Sequence, residues 1–228
     1  LDSGVNFFDS AEGYGDGYSE QLLGRGLGDR RDEAVIATKV SGRHHTRDEL
    51  IASCERSLSN LGTDRIDLYM LHWPNRDVAF EEPLRALETL RDDGKIRAIG
   101  VSNFARQDLP AILELGHIEA NQLPYSLLWR AIEEDVQQAC VDNEVSITCY
   151  SPLMQGLLAG KFPTPDDVPD GRSRTRHFKP DRPKSRHGEP AAEELTFQTI
   201  DKLRAIAEAA KLPMAQMSLA WLLTRPAV

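Results

Sequence analysis

Apolar positions along the chain fall into two alternating kinds of run. The short kind reads VNFFDS, AVIATKV, IDLYMLH, RAIGVSN, EANQLPY and VSITCYSPL, beginning near residues 5, 34, 66, 97, 119 and 145, and its bulky apolar content predicts strands. The stretches between have helical spacing. One opens with Thr46 and Glu49 in capping-box spacing, carries Leu50, Cys54, Leu58 and Leu61 along one face and stops at Gly62. Another has Pro83 near its start, Leu84, Leu87 and Leu90 at near-helical spacing and Gly94 at its end. A third is expected to bury Leu109, Ile112 and Leu113. Strand and helix alternate, and each helix has one apolar face, so the pattern predicts an α/β fold whose helices cover a parallel sheet.

Two architectures use such a sheet. A doubly wound sheet for dinucleotides normally shows GxGxxG between its first strand and helix. Here the glycines after the first strand read GYGDGYSEQLLGRGLG, with GxGxG spacing at both places, and the loop carries Tyr14 before a polar helix start at Ser19. This reads as a substrate loop. A (β/α)8 barrel explains better why chemically suggestive residues end so many different strands, because active sites in that fold sit at the C-terminal face.

The stretch 161–190 breaks the pattern. It holds six prolines and, beyond Lys161, seven Arg or Lys, with no apolar period. It reads as a long basic loop, solvated and mobile, or alternatively as a basic flap over a bound phosphate group. Two helices follow, at about 191–210 and 213–224; the second carries Met214, Met217, Leu219 and Trp221, a stripe most simply read as core.

With 228 residues, 40% apolar and 28% charged, the chain suits a single domain spanning 1–228 with an ample core. No stretch reaches the ~18 apolar residues of a membrane span, and the first residues, LDSGVNFFDS, do not read as a signal peptide. A net charge of −9 argues against nucleic acid or an anionic membrane as partner. Cys54, Cys140 and Cys149 have no CxxC spacing and read as buried thiols in a reducing, cytoplasmic setting. The adjacent His44 and His45 have no acidic or Cys partner at ligand spacing, so no metal site is expected and a solvated loop is the simpler reading.

Candidate chemistry sits at the strand ends. Asp9 and Lys39 each end an apolar run, where an unpaired charge is costly. They form either a structural ion pair or part of a proton-donating centre. Tyr14, five residues past Asp9, favours the second, since a cation within ~4 Å of a phenolate contributes up to ~4 kcal/mol at an effective dielectric near 20, or about three pKa units. A phenol shifted toward neutrality can act as acid to a carbonyl and base to an alcohol. His72 ends IDLYMLH before Trp73 and Pro74. Alone, His72 reads as a satisfied structural residue and Trp73 as a rim aromatic. Hydride chemistry needs a cofactor, since no side chain supplies it. Ser102, Asn103 and Gln122 bring two amides and a hydroxyl that could hold a carboxamide, and Tyr150 offers a stacking face.

Together NFFDSAEGYG, ATK, LHW, IRAIGVSNF, ANQLPYSLLWR and CYSPLMQGLLAGKF resemble the aldo-keto reductase family along nearly the whole chain. The resemblance implies an oxidoreductase that moves a hydride from NADPH, with NADH not excluded, to an aldehyde or ketone. It implies Asp9, Tyr14, Lys39 and His72 as the catalytic set, with Tyr14 the general acid and His72 orienting the carbonyl, and it makes Trp73 a substrate wall. Ser102, Asn103, Gln122 and Tyr150 match the positions that grip nicotinamide, and Ser151, Leu153 and the Gly156 region match the family's strap for the pyrophosphate. The same fold serves as a non-catalytic auxiliary subunit of potassium channels, which is the alternative reading; no docking surface of that kind is evident. Neither the particular carbonyl nor the oligomeric state is legible.

The family barrel has eight strands and this sequence supplies six. Residues 1–4 read as the end of a first helix whose strand is missing, and TRPAV stops where an eighth strand should begin. The expectation is therefore an incomplete barrel, a fragment without an initiator Met and without the segment that reads the 2′-phosphate, which on its own should bind NADPH poorly and show little reductase activity.

Overall fold

The computed structural model describes all 228 residues, which form two compact units. The first comprises Leu1–Leu123, Ile132–Thr148 and Ala227; the second comprises Pro124–Ala131, Cys149–Pro226 and Val228. Six strands, β1 (Phe7–Asp9), β2 (Val35–Val40), β3 (Ile66–Leu71), β4 (Ile96–Ser102), β5 (Ala120–Pro124) and β6 (Ser146–Tyr150), form one sheet in strict sequence order. Register is parallel from β1 through β5. A doubly wound sheet reverses its strand order partway; this one never does, so the fold is the (β/α)8 barrel type with six strands present.

In the first unit the helices are α1 (Tyr18–Leu27), α2 (Arg47–Leu61), α3 (Glu81–Asp92), α4 (Asp108–Leu113) and α5 (Val136–Asp142). The expected faces of α2 and α3 are buried, as are Leu109 and Ile112 of α4. Gly62 ends α2 in the left-handed conformation at φ 63°. The start of α2 differs from expectation: Thr46 Oγ1 donates to Glu49 Oε2 (2.6 Å) and the two side chains satisfy each other, without capping the backbone.

Alternation along β2 decides where chemistry goes. Thr38 points to the helix side, where its hydroxyl donates to the buried Glu20 carboxylate at 2.6 Å. Ala37 shares the opposite face with Leu68, Met70 and Ala120 in a small apolar cluster, and the two-residue period puts Lys39 on that same face, one step nearer the C-terminal end. Gly100 keeps this interior open, because a Cβ there would lie 2.7 Å from Met70 Cγ.

The second unit holds α6 (Glu193–Ala209) and α7 (Met214–Leu222) over a core that includes Met154, Leu158, Phe178, Phe197 and Ile200. The stretch 161–190 contains only the short 3₁₀ turn Pro165–Asp167, yet Val168 and Phe178 are buried and Arg182 donates to Glu193 at 2.6 Å. The expected solvated loop is thus pinned by two apolar side chains and an ion pair, none of which needs a periodic pattern. Of the stripe on α7, Met214 is buried and Met217 packs on the core, whereas Leu219 is 38% exposed. No helix is long and apolar enough to cross a membrane.

Candidate active site

The site in the first unit begins with register. Asp9 pairs with Ala37, so Lys39 lies one side-chain repeat beyond and reaches back to the end of β1. Its Nζ donates to Asp9 Oδ1 (2.7 Å), Asp9 Oδ2 (2.8 Å) and Ser10 O (2.7 Å), using all three N–H groups. The lysine is fully buried. Burial pulls its pKa below the usual lysine value, and the Asp9 carboxylate opposes that pull. Asp9 Oδ1 also accepts from Gln122 Nε2 at 3.0 Å, so β1, β2 and β5 meet at one carboxylate.

Tyr14 arrives on the loop after β1. Its N–H donates to Ala11 O (3.0 Å), and the chain then passes through left-handed Gly15, Asp16 and Gly17 into α1. Gly17 combines φ +81° with an Asn60 Nδ2 that a Cβ would meet at 2.5 Å, so only glycine fits there. The Tyr14 ring centroid lies 5.2 Å from Lys39 Nζ, and the His72 ring meets it edge-on at 5.7 Å. His72 follows β3 directly, held by its N–H to Val40 O at 3.0 Å. Burial first, and Lys39 second, hold its pKa below the usual histidine value, so it is neutral at pH 7. Trp73 stacks beside it at 6.4 Å and is 54% exposed.

The phenol departs from expectation. Its pKa is raised, by burial and then by the negative charge of Asp9. The reason is geometric: Lys39 is neutralised at contact by Asp9, so the phenol faces a compensated pair and not an isolated cation.

Asn103, in the left-handed conformation at φ 64°, donates its Nδ2 to His72 O (3.1 Å) and Ser102 Oγ (3.0 Å), and its N–H to Gln122 O (2.9 Å). Ser102 Oγ donates to the same Gln122 carbonyl at 3.1 Å. Asp9, Tyr14, Lys39, His72, Ser102, Asn103 and Gln122 are therefore one connected cluster. Tyr150, Ser151, Leu153 and Gly156 lie in the second unit. There Tyr150 ends β6, and the turn after it runs through positive φ at Ser151, Met154, Gln155 and Gly156.

Sequence reasoning missed Glu12. Its carboxylate Oε1 accepts from Ser41 N (2.6 Å) and contacts His44 Nδ1 (2.9 Å), while Arg56 lies 3.6 Å from Oε2. The two histidines correct the solvated-loop reading: His44 belongs to this cluster and His45 is fully buried. The only forward signal was a Glu two residues before Tyr14. Beside the cluster an open groove of ≈ 600 Å³ is lined by residues 41–43 and 74–77.

A sequence model described as the aldo/keto reductase family matches residues 1–228. Aldo-keto reductase YhdN of Bacillus subtilis is 38% identical over 71% of this chain and 52% of its own length. The NADH-specific methylglyoxal reductase of Escherichia coli is 36% identical over 74% of this chain and 58% of its own. This chain thus spans little more than half the length of these relatives. An aldo/keto reductase of Klebsiella pneumoniae, solved in complex with NADP and acetate, superposes with a TM-score of 0.77 at 31% identity, over 100% of this chain and 69% of that one.

Proposed function

Because this chain belongs to the aldo-keto reductase family, we propose that it carries the proton-donating centre of a reductase that converts a small aldehyde or ketone to its alcohol with NADPH, NADH being the alternative donor. The observation that supports this reading is the buried Lys39 saturated by Asp9 and Ser10, with the Tyr14 ring 5.2 Å away and a neutral His72 edge-on to it.

In this reading Tyr14 would give its proton to the carbonyl oxygen of the substrate as the carbonyl is reduced. The products are the alcohol and a phenolate, and the reverse reaction returns the proton to the phenolate. The Lys39–Asp9 pair stands beside that developing charge. With its pKa raised by burial and by Asp9, Tyr14 holds its proton at neutral pH; the shift also makes it a weaker donor, so the proton would move only as negative charge builds on the carbonyl oxygen. Neutral His72 offers a ring N–H to orient the carbonyl without competing as the acid, and Trp73 supplies an apolar wall.

The cofactor's chemistry is the hydride itself. In the first unit Ser102, Asn103 and Gln122 would hold the carboxamide; in the second, taken by itself, Tyr150 would offer a stacking face and Ser151, Leu153 and Gly156 a pyrophosphate strap. The turn after β6 has positive φ at four positions within 151–156; Met154 N–H and Gly156 N–H already donate to Ser151 O and Leu153 O, so an anion there would be met by the remaining polar groups of that turn. The relatives favour the same class, one solved in complex with NADP and another an NADH-specific methylglyoxal reductase.

Tyr14→Phe tests the reading. In this protein, reduction of methylglyoxal should fall by ~10²-fold or more while NADPH affinity stays nearly constant, the usual scale for loss of an acid–base group. Undiminished turnover would exclude Tyr14 as the acid.

A further inference from the structure

The loops that carry Tyr14 and His72 come from different strands, and no backbone hydrogen bond runs directly from one to the other. Both are tied to a third segment, the turn after Lys39 at residues 41–44. From one side Glu12, 12% exposed, accepts the Ser41 N–H at 2.6 Å and contacts His44 Nδ1 at 2.9 Å. From the other, Asn75 Nδ2 donates to Gly42 O at 2.8 Å while its Oδ1 accepts the Asp77 N–H at 3.0 Å. Backbone bonds add to the same bracket, Glu12 N to Lys39 O at 3.1 Å and His72 N to Val40 O at 3.0 Å. Ser41 N–H and Gly42 O are neighbouring groups of one turn, the first held by the acid-bearing loop and the second by the His-bearing loop.

We infer that Glu12 and Asn75 are positioning residues, which set the Tyr14–His72 geometry by clamping both loops onto the turn 41–44. The inference rests on the reductase reading for its effect on turnover, and on geometry alone for the clamp. It follows that the two residues act in series: once either side-chain bond is broken the turn relates the two loops only through the backbone bonds at Lys39 and Val40, and breaking the second adds little.

The test has two arms on the full-length protein. In the kinetic arm, Glu12→Ala and Asn75→Ala should each lower kcat by about 10-fold or more, with NADPH binding unchanged within about two-fold, since a small misplacement of a reacting group is costly. The double variant should lose no more than about three-fold beyond the worse single, a non-additive pair. Glu12→Gln keeps an acceptor for Ser41 N–H and should recover most of the loss, whereas Asn75→Asp, equal in size but unable to donate to Gly42 O, should not. Additive losses, or a rise in NADPH dissociation constant that accounts for the whole effect, would overturn the proposal.

The second arm is amide hydrogen exchange, which reads the clamp whether or not the protein turns over. Asn75→Asp should speed exchange across residues 10–19, although Asn75 touches none of them. Unchanged exchange there would also overturn the proposal, and failure of the reductase reading would show separately, as a Tyr14→Phe variant with full turnover.

Discussion

Lys39 makes three hydrogen bonds, all to β1 and the residue after it, and that saturation explains why the phenol beside it is not acidified. Asp9, Lys39 and His72 were legible because a charged or polar residue ending an apolar strand has few roles besides pairing or chemistry. The sign of the Tyr14 shift was not, since it depends on which partner lies at contact and which a ring's width away. Glu12 escaped for the same reason, its partners being 29 and 32 residues distant in sequence. His45 offers a test at this scale. It is fully buried, neither ring nitrogen has a partner, and burial holds its pKa down at about 4 against an ordinary 6.5. A folded pKa below the unfolded one means that the unfolded chain binds more protons in between, so stability is full above pH 6.5 and declines as pH falls toward about 4. The loss is roughly 3 kcal/mol at the acid end of that window, about 1.4 kcal/mol per unit. His45→Leu should remove the slope, stabilising the protein more at pH 4.5 than at pH 8 in urea unfolding; an equal effect at both pH values would show that His45 does not titrate on unfolding.

Among the elements, the two-residue period of β2 and the apolar faces of α2 and α3 were readable because each is a repeated pattern, and the strict strand order follows once every helix must cover the sheet it leaves. The start of α2 was not readable, because capping-box spacing cannot say whether Thr46 turns to the backbone or to Glu49. Nor was the seating of α1 on α2. A Cβ at Gly24 would stand 2.1 Å from Leu61 O, whereas a Cβ at Gly26 would meet nothing within 4 Å. Alanine favours a helix interior over glycine by ~1 kcal/mol, so Gly26→Ala should stabilise by up to that amount. At Gly24 the gain is outweighed by a backbone clash of about 1–3 kcal/mol or more, and α1 must move off α2. Since α1 follows the Tyr14 loop directly, Gly24→Ala should lower both melting temperature and turnover, while Gly26→Ala raises the first and spares the second. Equal behaviour of the two variants would refute the close approach of these helices.

At the scale of the molecule, the apolar material of the second unit gathers around a segment that sequence alone describes as loop. Its basic residues are partly neutralised locally, Arg176 by Glu189 and Arg182 by Glu193 and Asp166. The exposed Arg176–Glu189 pair contributes about 0–1 kcal/mol, and the largely buried Arg182–Glu193 pair adds to the pinning, but ion pairs alone do not hold the segment down. Phe178 does: it is 1% exposed, meets Phe197 at 6.4 Å and carries Arg182 over its ring at 5.5 Å. Removing a buried Phe side chain costs about 3–5 kcal/mol, a large share of the ~5–15 kcal/mol that stabilises a typical domain. Phe178→Ala should therefore shift the unfolding of the second unit to markedly lower denaturant, and Phe178→Leu, which keeps most of the volume, should shift it much less. Trp129 and Trp221 report on this unit in a Trp73→Phe background, because these are the chain's three tryptophans. If Phe178→Ala left their transition where it was, the stretch 161–190 would be the solvated loop that its composition describes, and the core of the second unit would have to close without it.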